Sequence, residues 1–141
     1  MKPILTDEEE LLLVAAIREQ ENRTSAEIRV CLTYKLLWRP ERYAWKVFER
    51  ACMQATRQRN GVIIVMMPRM KKVIVLGDTG VNALVPPDFW KETVDAMIHE
   101  LHQSDALSAL REGLQRLGDT LARHWPRTPG DVNELPDELL R

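Results

Sequence analysis

Cysteine is scarce in this chain, with only Cys31 and Cys52 among 141 residues. Their separation fits no metal-binding pair, and a chain of this length can bury a core without staples, so neither a disulfide framework nor a zinc site is implied. Both are read as packing residues in a reducing compartment. Charge of one sign is also missing. Twenty Lys and Arg oppose twenty-one Asp and Glu, which leaves no long-range field to recruit nucleic acid or an anionic membrane. No apolar run approaches the roughly 20 residues of a membrane helix, and the opening MKPILTDEEE turns acidic before a signal-peptide core could form. The expectation is a soluble, cytoplasmic protein with no membrane span and no nucleic-acid partner. Catalytic motifs are absent as well: there is no glycine-rich Walker loop, no HExxH, and no phosphate-binding loop after either cysteine. His99 and His102, three apart, are read as surface residues.

What is present is a pair of apolar runs set back to back. Val62–Met67 and Val73–Leu76 are short, rich in β-branched residues and bounded by Gly61, Pro68 and Gly77, which favours buried strands over helix. Pro68 to Lys71 supplies the reversal. An antiparallel hairpin of this kind carries Arg59-Asn60-Gly61 and Gly77-Asp78-Thr79-Gly80 to one edge of a sheet. Val62–Met67 has no polar face, so the hairpin is expected in the sheet interior with helices on both sides.

The other elements follow from pattern. Thr6 and Glu9 make a capping box for a first helix with Leu13, Ala16 and Ile17 inward, fading near Glu21 to Arg23. From Glu27 the chain alternates, with Ile28, Val30 and Leu32 opposite Glu27, Arg29, Cys31 and Thr33, as in a half-buried strand at or near an edge. Pro40 opens a second helix whose apolar spacing runs on through Cys52 and Ala55. The strand, helix, strand order predicts a right-handed crossover between parallel strands. Asp88 is expected to cap a third helix and Ser104 a fourth, the latter with a ridge of Leu107, Leu110, Leu114, Leu117 and Leu121. A fourth strand is sought around Asn82 to Val85. The fold class is α/β, a three-layer α/β/α sandwich with a small mixed sheet. Residues 1–125 read as one domain and 126–141, with three prolines, as a tail that docks or is partly disordered.

The parallel pairing would bring Thr24, Ser25 and Glu27 to the edge that holds Arg59, Asn60 and Asp78. Two carboxylates, two hydroxyls, an amide and a guanidinium then form a candidate binding edge, with Glu27 and Asp78 as the pair that would hold a divalent cation such as calcium or magnesium. An ion-paired network of Glu27 with Arg29 or Arg59 explains the same residues equally well. Asp78-Thr79-Gly80 also resembles the aspartic-protease triplet, but only one copy is present and the long helices do not suit that fold. A glycine-flanked turn is the plainer reading. The opposite edge, with Tyr34, Lys35, Trp38, Arg69, Lys71 and Lys72, is a rival surface because open α/β sheets bind ligands beyond the carboxyl ends of their parallel strands.

Six segments together resemble the TPM-domain family: Leu5-Thr6-Asp7-Glu8-Glu9, Thr24-Ser25-Ala26-Glu27-Ile28-Arg29-Val30, Arg59-Asn60-Gly61-Val62, Gly77-Asp78-Thr79-Gly80-Val81, Phe89-Trp90 and Asn133-Glu134-Leu135-Pro136-Asp137. The chain looks most like the short bacterial members. The resemblance implies a compact α/β/α sandwich, a thylakoid-lumen relative with acid phosphatase activity, and bound calcium in some bacterial members. Longer relatives tend to carry Asp-Asn-Gly where this chain has Arg59-Asn60-Gly61, so a cation replaces a carboxylate and metal binding is weakened. The implied role is a non-catalytic binding or accessory module acting on an unidentified protein or phosphorylated small molecule. The alternative is a metal-assisted acid phosphatase, with a cation at Asp78 and Glu27 and phosphate steadied by Arg59.

Overall fold

The computed structural model describes residues 3–51, 53–128 and 139–140. Helices α1 (Asp7–Glu21), α2 (Pro40–Arg50), α3 (Thr79–Asn82), α4 (Phe89–Gln103) and α5 (Ala106–His124) surround strands β1 (Ile28–Leu32), β2 (Val62–Met67), β3 (Lys72–Gly77) and β4 (Leu139–Leu140). The sheet order is β3-β2-β1-β4. β1 runs parallel to β2 and to β4, whereas β2 and β3 are antiparallel. The expected mixed sheet and sandwich are therefore present.

Burial follows the alternation of side chains along the strands. Ile28, Val30, Val62, Ile64, Met66 and Val75 face a core completed by α1, α4 and α5. Cys31, Ile63, Val65, Met67 and Ile74 face α2 through Ala44, Val47 and Phe48. Every residue of β2 is buried, as its lack of a polar face requires. Its hairpin partner differs from expectation: β3 is the outer strand, next to β2 alone. β1 is interior, buried at all five positions, because β4 covers the side on which an open edge was expected. The fourth strand comes from Leu139–Leu140, while Asn82 ends α3. A strand this remote in sequence has no local pattern to announce it.

Several boundaries also moved. The capping box of Thr6 and Glu9 is formed. α2 starts on Pro40 but stops at Arg50, and a 3-10 turn at Met53–Ala55 replaces its last turn. Asp88 occupies the N-cap of α4 in αR backbone and makes no side-chain cap. Ser104 closes α4, and Asp105 caps α5 by accepting the Ser108 N–H at 2.8 Å. That bond holds the Asp105 carboxyl below its ordinary value, so its contribution to stability is present at neutral pH and fades as acid protonates it.

The last residues are tied to the body by more than β4. Thr24 bridges to Pro126, and the Arg127 Nη1 donates to the Glu21 carbonyl at 3.0 Å. The family segment Asn133 to Asp137, with its expected anchor Leu135, lies outside the described residues. Deleting residues 127–141 uncovers β1 and removes the half-buried Leu139, which packs on the core. Such a truncation is expected to lower stability by about 2–3 kcal/mol, the value of burying one large aliphatic side chain, read as a lower urea midpoint. An unchanged midpoint would mean that β4 adds nothing.

Candidate functional site

Sheet register sets out the site. Glu27, Gly61 and Asp78 form one row across three strands: the Val62 N–H donates to the Glu27 carbonyl at 2.8 Å and the Asp78 N–H to the Gly61 carbonyl at 2.9 Å. The backbones of the expected edge residues thus come together. Their side chains divide into two groups.

The first group is Arg59 and Asp78. Arg59 Nε donates to Asp78 Oδ2 at 2.6 Å and Nη2 to Oδ1 at 3.0 Å, a two-pronged grip that matches the planar guanidinium to the carboxylate. The Asp78 side chain is 5% exposed and that of Arg59 51%. The carboxylate raises the Arg59 guanidinium above its ordinary value. Asp78 also caps α3, with Oδ1 accepting the Thr79 N–H at 2.7 Å, so the expected turn is instead the start of a short helix. Gly80 brings this turn against the loop of Arg59: its N–H donates to the Arg59 carbonyl at 2.9 Å. A Cβ there would collide with the Gln58 and Arg59 carbonyl oxygens, which is why glycine stands at that position. Arg59 itself has φ 51°, a left-handed conformation that arginine adopts with strain.

The second group lies elsewhere. Glu27 is buried and its Oε2 is 3.4 Å from Arg29 Nη2, while Arg29 Nη1 is 3.6 Å from Glu21 Oε2. Asp78 is two strand spacings away, roughly 10 Å on sheet geometry. Thr24 is buried, its Oγ1 donating to the Trp125 carbonyl at 2.6 Å and accepting the Ala26 N–H. Ser25 donates its N–H to the same Trp125 carbonyl. The Asn60 N–H donates to Thr56 Oγ1 at 3.1 Å, and its buried Nδ2 has no partner among the described residues. Thr24, Ser25 and Glu27 therefore join structural networks, and only Arg59 and Asp78 meet at an accessible surface.

That surface is a cleft of 440 Å³ beside the outer strand, lined by Trp45, Phe48, Glu49, Arg59, Asp78 and Asn82, with Gly77 and Thr79. Trp45 and Phe48 meet edge to face at 5.4 Å. Asn82 braces the rim, with Nδ2 donating to the Gly77 carbonyl and Oδ1 accepting from Trp90 Nε1, both at 2.9 Å. The aromatic wall was not foreseen. Its signal in the sequence was Trp45, which falls beside the buried spacing of Ala44, Val47 and Phe48 and is 43% exposed.

These residues suit a hard cation poorly. Calcium takes six to eight oxygens, yet the Asp78 oxygens are engaged by Arg59 and Thr79, Glu27 is remote, and no group of three His, Cys, Asp or Glu fit for a metal occurs among the described residues. His99 and His102 are both exposed on α4. The rival residues Tyr34, Lys35, Trp38, Arg69, Lys71 and Lys72 lie at the opposite end of the sheet, beyond β1 and around the β2–β3 turn.

Known structures share the architecture. The chain superposes on the NMR structure of BA42 protein from the psychrophilic bacterium Bizionia argentinensis with a TM-score of 0.91 and 34% identity, covering 99% of this chain and 97% of that one. The N-terminal domain of a protein from P. gingivalis gives a TM-score of 0.69 at 17% identity, covering 86% and 79%. The N-terminal domain of cg2496 protein from Corynebacterium glutamicum gives 0.62 at 13%, covering 97% and 80%. The last two likenesses are of fold. No curated protein matches the chain. A TPM domain is matched over residues 2–120, and with the fold shared over its full length the chain belongs to the TPM-domain family.

Proposed function

We propose that this TPM-domain protein is a non-catalytic binding module whose recognition site is the cleft between α2 and α3. The observation that supports it is the pair of hydrogen bonds from Arg59 to Asp78. Hydrolysis assisted by a metal calls for carboxylates free to hold the cation and orient water. Of the two acids that line the cleft, Glu49 and Asp78, Asp78 is neutralised by Arg59, which leaves Glu49 without a second carboxylate to share a cation. What remains is an aromatic wall, Trp45 and Phe48, beside the half-exposed Arg59, the amide of Asn82 and the carboxylate of Glu49 at the rim. Such a wall with a few placed polar groups fits an anionic group carried next to a flat apolar one. The partner is then a protein segment or a phosphorylated small molecule, met in the cytoplasm, as the scarcity of cysteine supports. Residues 1–125 act as the domain and 126–141 as a tail, a reading supported by the ties of Pro126, Arg127 and Leu139–Leu140 to the body. No helix of the described residues is long and apolar enough to cross a membrane.

Phenyl phosphate combines both features and serves as the probe. Titrated against labelled protein, it is expected to shift the amides of Arg59, Asp78 and Thr79 and the Trp45 indole, without release of phosphate when calcium or magnesium is added. Turnover above buffer that disappears in Asp78→Asn would establish the phosphatase alternative instead. Shifts confined to other surfaces would remove the cleft from the proposal.

A further inference from the structure

The carboxyl end of the parallel strands carries a surface that the cleft does not explain. Between β1 and α2 the chain leaves the sheet as a loop in which Leu37 packs back on the core while two apolar side chains are turned outward: Trp38 is 100% exposed and Leu36 63%. Among the described residues these are two of only six large apolar side chains with such exposure, and they stand two apart on one loop. The loop is not loose against the body. The Leu37 N–H donates to the Met70 sulfur at 3.4 Å, which ties it to the β2–β3 turn, and Pro40 is buried at the start of α2. Leu36, Leu37, Trp38 and Met70 together line a shallow, open depression. The apolar tip is therefore a projection held at both ends.

The two loops that form this tip carry an excess of positive charge. Residues 33–46 and 67–72 contain seven Lys or Arg and a single acid, Glu41. Glu41 is already taken by Lys72 at 2.9 Å. Lys35 lies over the Tyr43 ring at 5.2 Å, and Lys35, Arg39, Arg42, Arg69 and Lys71 are exposed. The overall balance of the chain conceals this local excess. Beyond Glu41, the first turn of α1 holds Asp7 to Glu10 on the other face of the sheet, and of these Glu10 shares a groove with Lys35.

We propose that this projection is a peripheral membrane anchor for anionic lipid. A Trp and a Leu protruding from a basic rim match the layered chemistry of a bilayer surface, where indole settles at the headgroup level, aliphatic groups enter the acyl boundary and Lys or Arg meet lipid phosphates. A convex tip needs no complementary pocket on its partner, which separates it from the concave cleft beside β3. Nucleic acid would use the Trp ring and the cations but leave Leu36 and the apolar depression without a role. Docked this way, the molecule stands on the β2–β3 turn with the Arg59 cleft at the far end of the sheet, facing away from the membrane.

Cosedimentation of the full chain with vesicles tests this. Binding to phosphatidylcholine vesicles containing phosphatidylglycerol is expected at low salt, with little to phosphatidylcholine alone and a decline as salt rises. Leu36→Ser with Trp38→Ser should weaken it by about tenfold or more, and Lys35→Glu with Arg69→Glu should abolish the preference for anionic lipid. Brominated lipid should quench the native fluorescence but not that of Trp38→Ser. All four positions are exposed and should leave the thermal midpoint unchanged, so a loss is read as binding. Absence of binding at low salt, or equal binding by the variants, would overturn the proposal. It would also fall if the Leu36 and Trp38 substitutions altered only self-association in the ultracentrifuge or only oligonucleotide binding.

Discussion

Arg29→Met is expected to destabilise the fold by about 3–5 kcal/mol, the range for breaking a buried charge cluster by removing one partner. Arg29 is 2% exposed, and Glu21 and Glu27 are each 1% exposed. The guanidinium lies between the two carboxylates and also donates from Nη1 to the Ile28 carbonyl at 2.8 Å. Methionine keeps a similar length and apolar stem, so most of the loss reports charge and not a cavity. The partner experiment removes all three charges, in Glu21→Gln, Glu27→Gln, Arg29→Met. Much of the stability should return, because buried ion clusters exchanged as a whole for neutral groups are often neutral in effect. Urea unfolding of both variants reads the difference. A deficit below about 0.5 kcal/mol in the single variant, within the usual range of a surface substitution, would show that the cluster is solvated in solution.

This cluster also shows where the sequence ceases to be readable. Alternation from Glu27 to Thr33 put Glu27, Arg29 and Cys31 on a polar outer face, and that was correct as to which residues share a face. What it could not carry was the cover on that face. Leu140 pairs beside Cys31 from more than a hundred residues away, and Glu21 arrives from the end of α1. Local periodicity records only the period, so a polar residue buried by remote chain looks the same as an exposed one. The apolar hairpin was legible because every side chain of β2 is apolar, and such a segment has no stable place except an interior. For the site, the edge was legible from topology, since parallel pairing fixes which strand ends meet. The selection of Arg59 with Asp78, and of Trp45 as their wall, depended on rotamers and on the termination of α2 at Arg50, neither of which a pattern encodes.

Arg59→Asp is expected to create a calcium response that the native chain lacks, raising affinity by at least about tenfold, or roughly 1.4 kcal/mol. In the native protein the guanidinium occupies both Asp78 oxygens, and a divalent cation would have to displace it. The substitution releases Asp78 and adds a second carboxylate on the adjoining loop, with Glu49 and Thr79 also on the cleft. Few oxygens and a surface position should keep the dissociation constant near the 10⁻⁴–10⁻³ M of weak calcium modules. The backbone should accept the change, because position 59 has φ 51° and aspartate tolerates left-handed conformation better than arginine does. Arg59→Asn separates the two effects: asparagine suits the same conformation and removes the cation without adding an anion. Calorimetry should rank calcium affinity as Asp above Asn above native Arg. Submicromolar binding by the native chain, or no gain in Arg59→Asp, would mean that the Arg59 and Asp78 pair does not control the chemistry of this cleft.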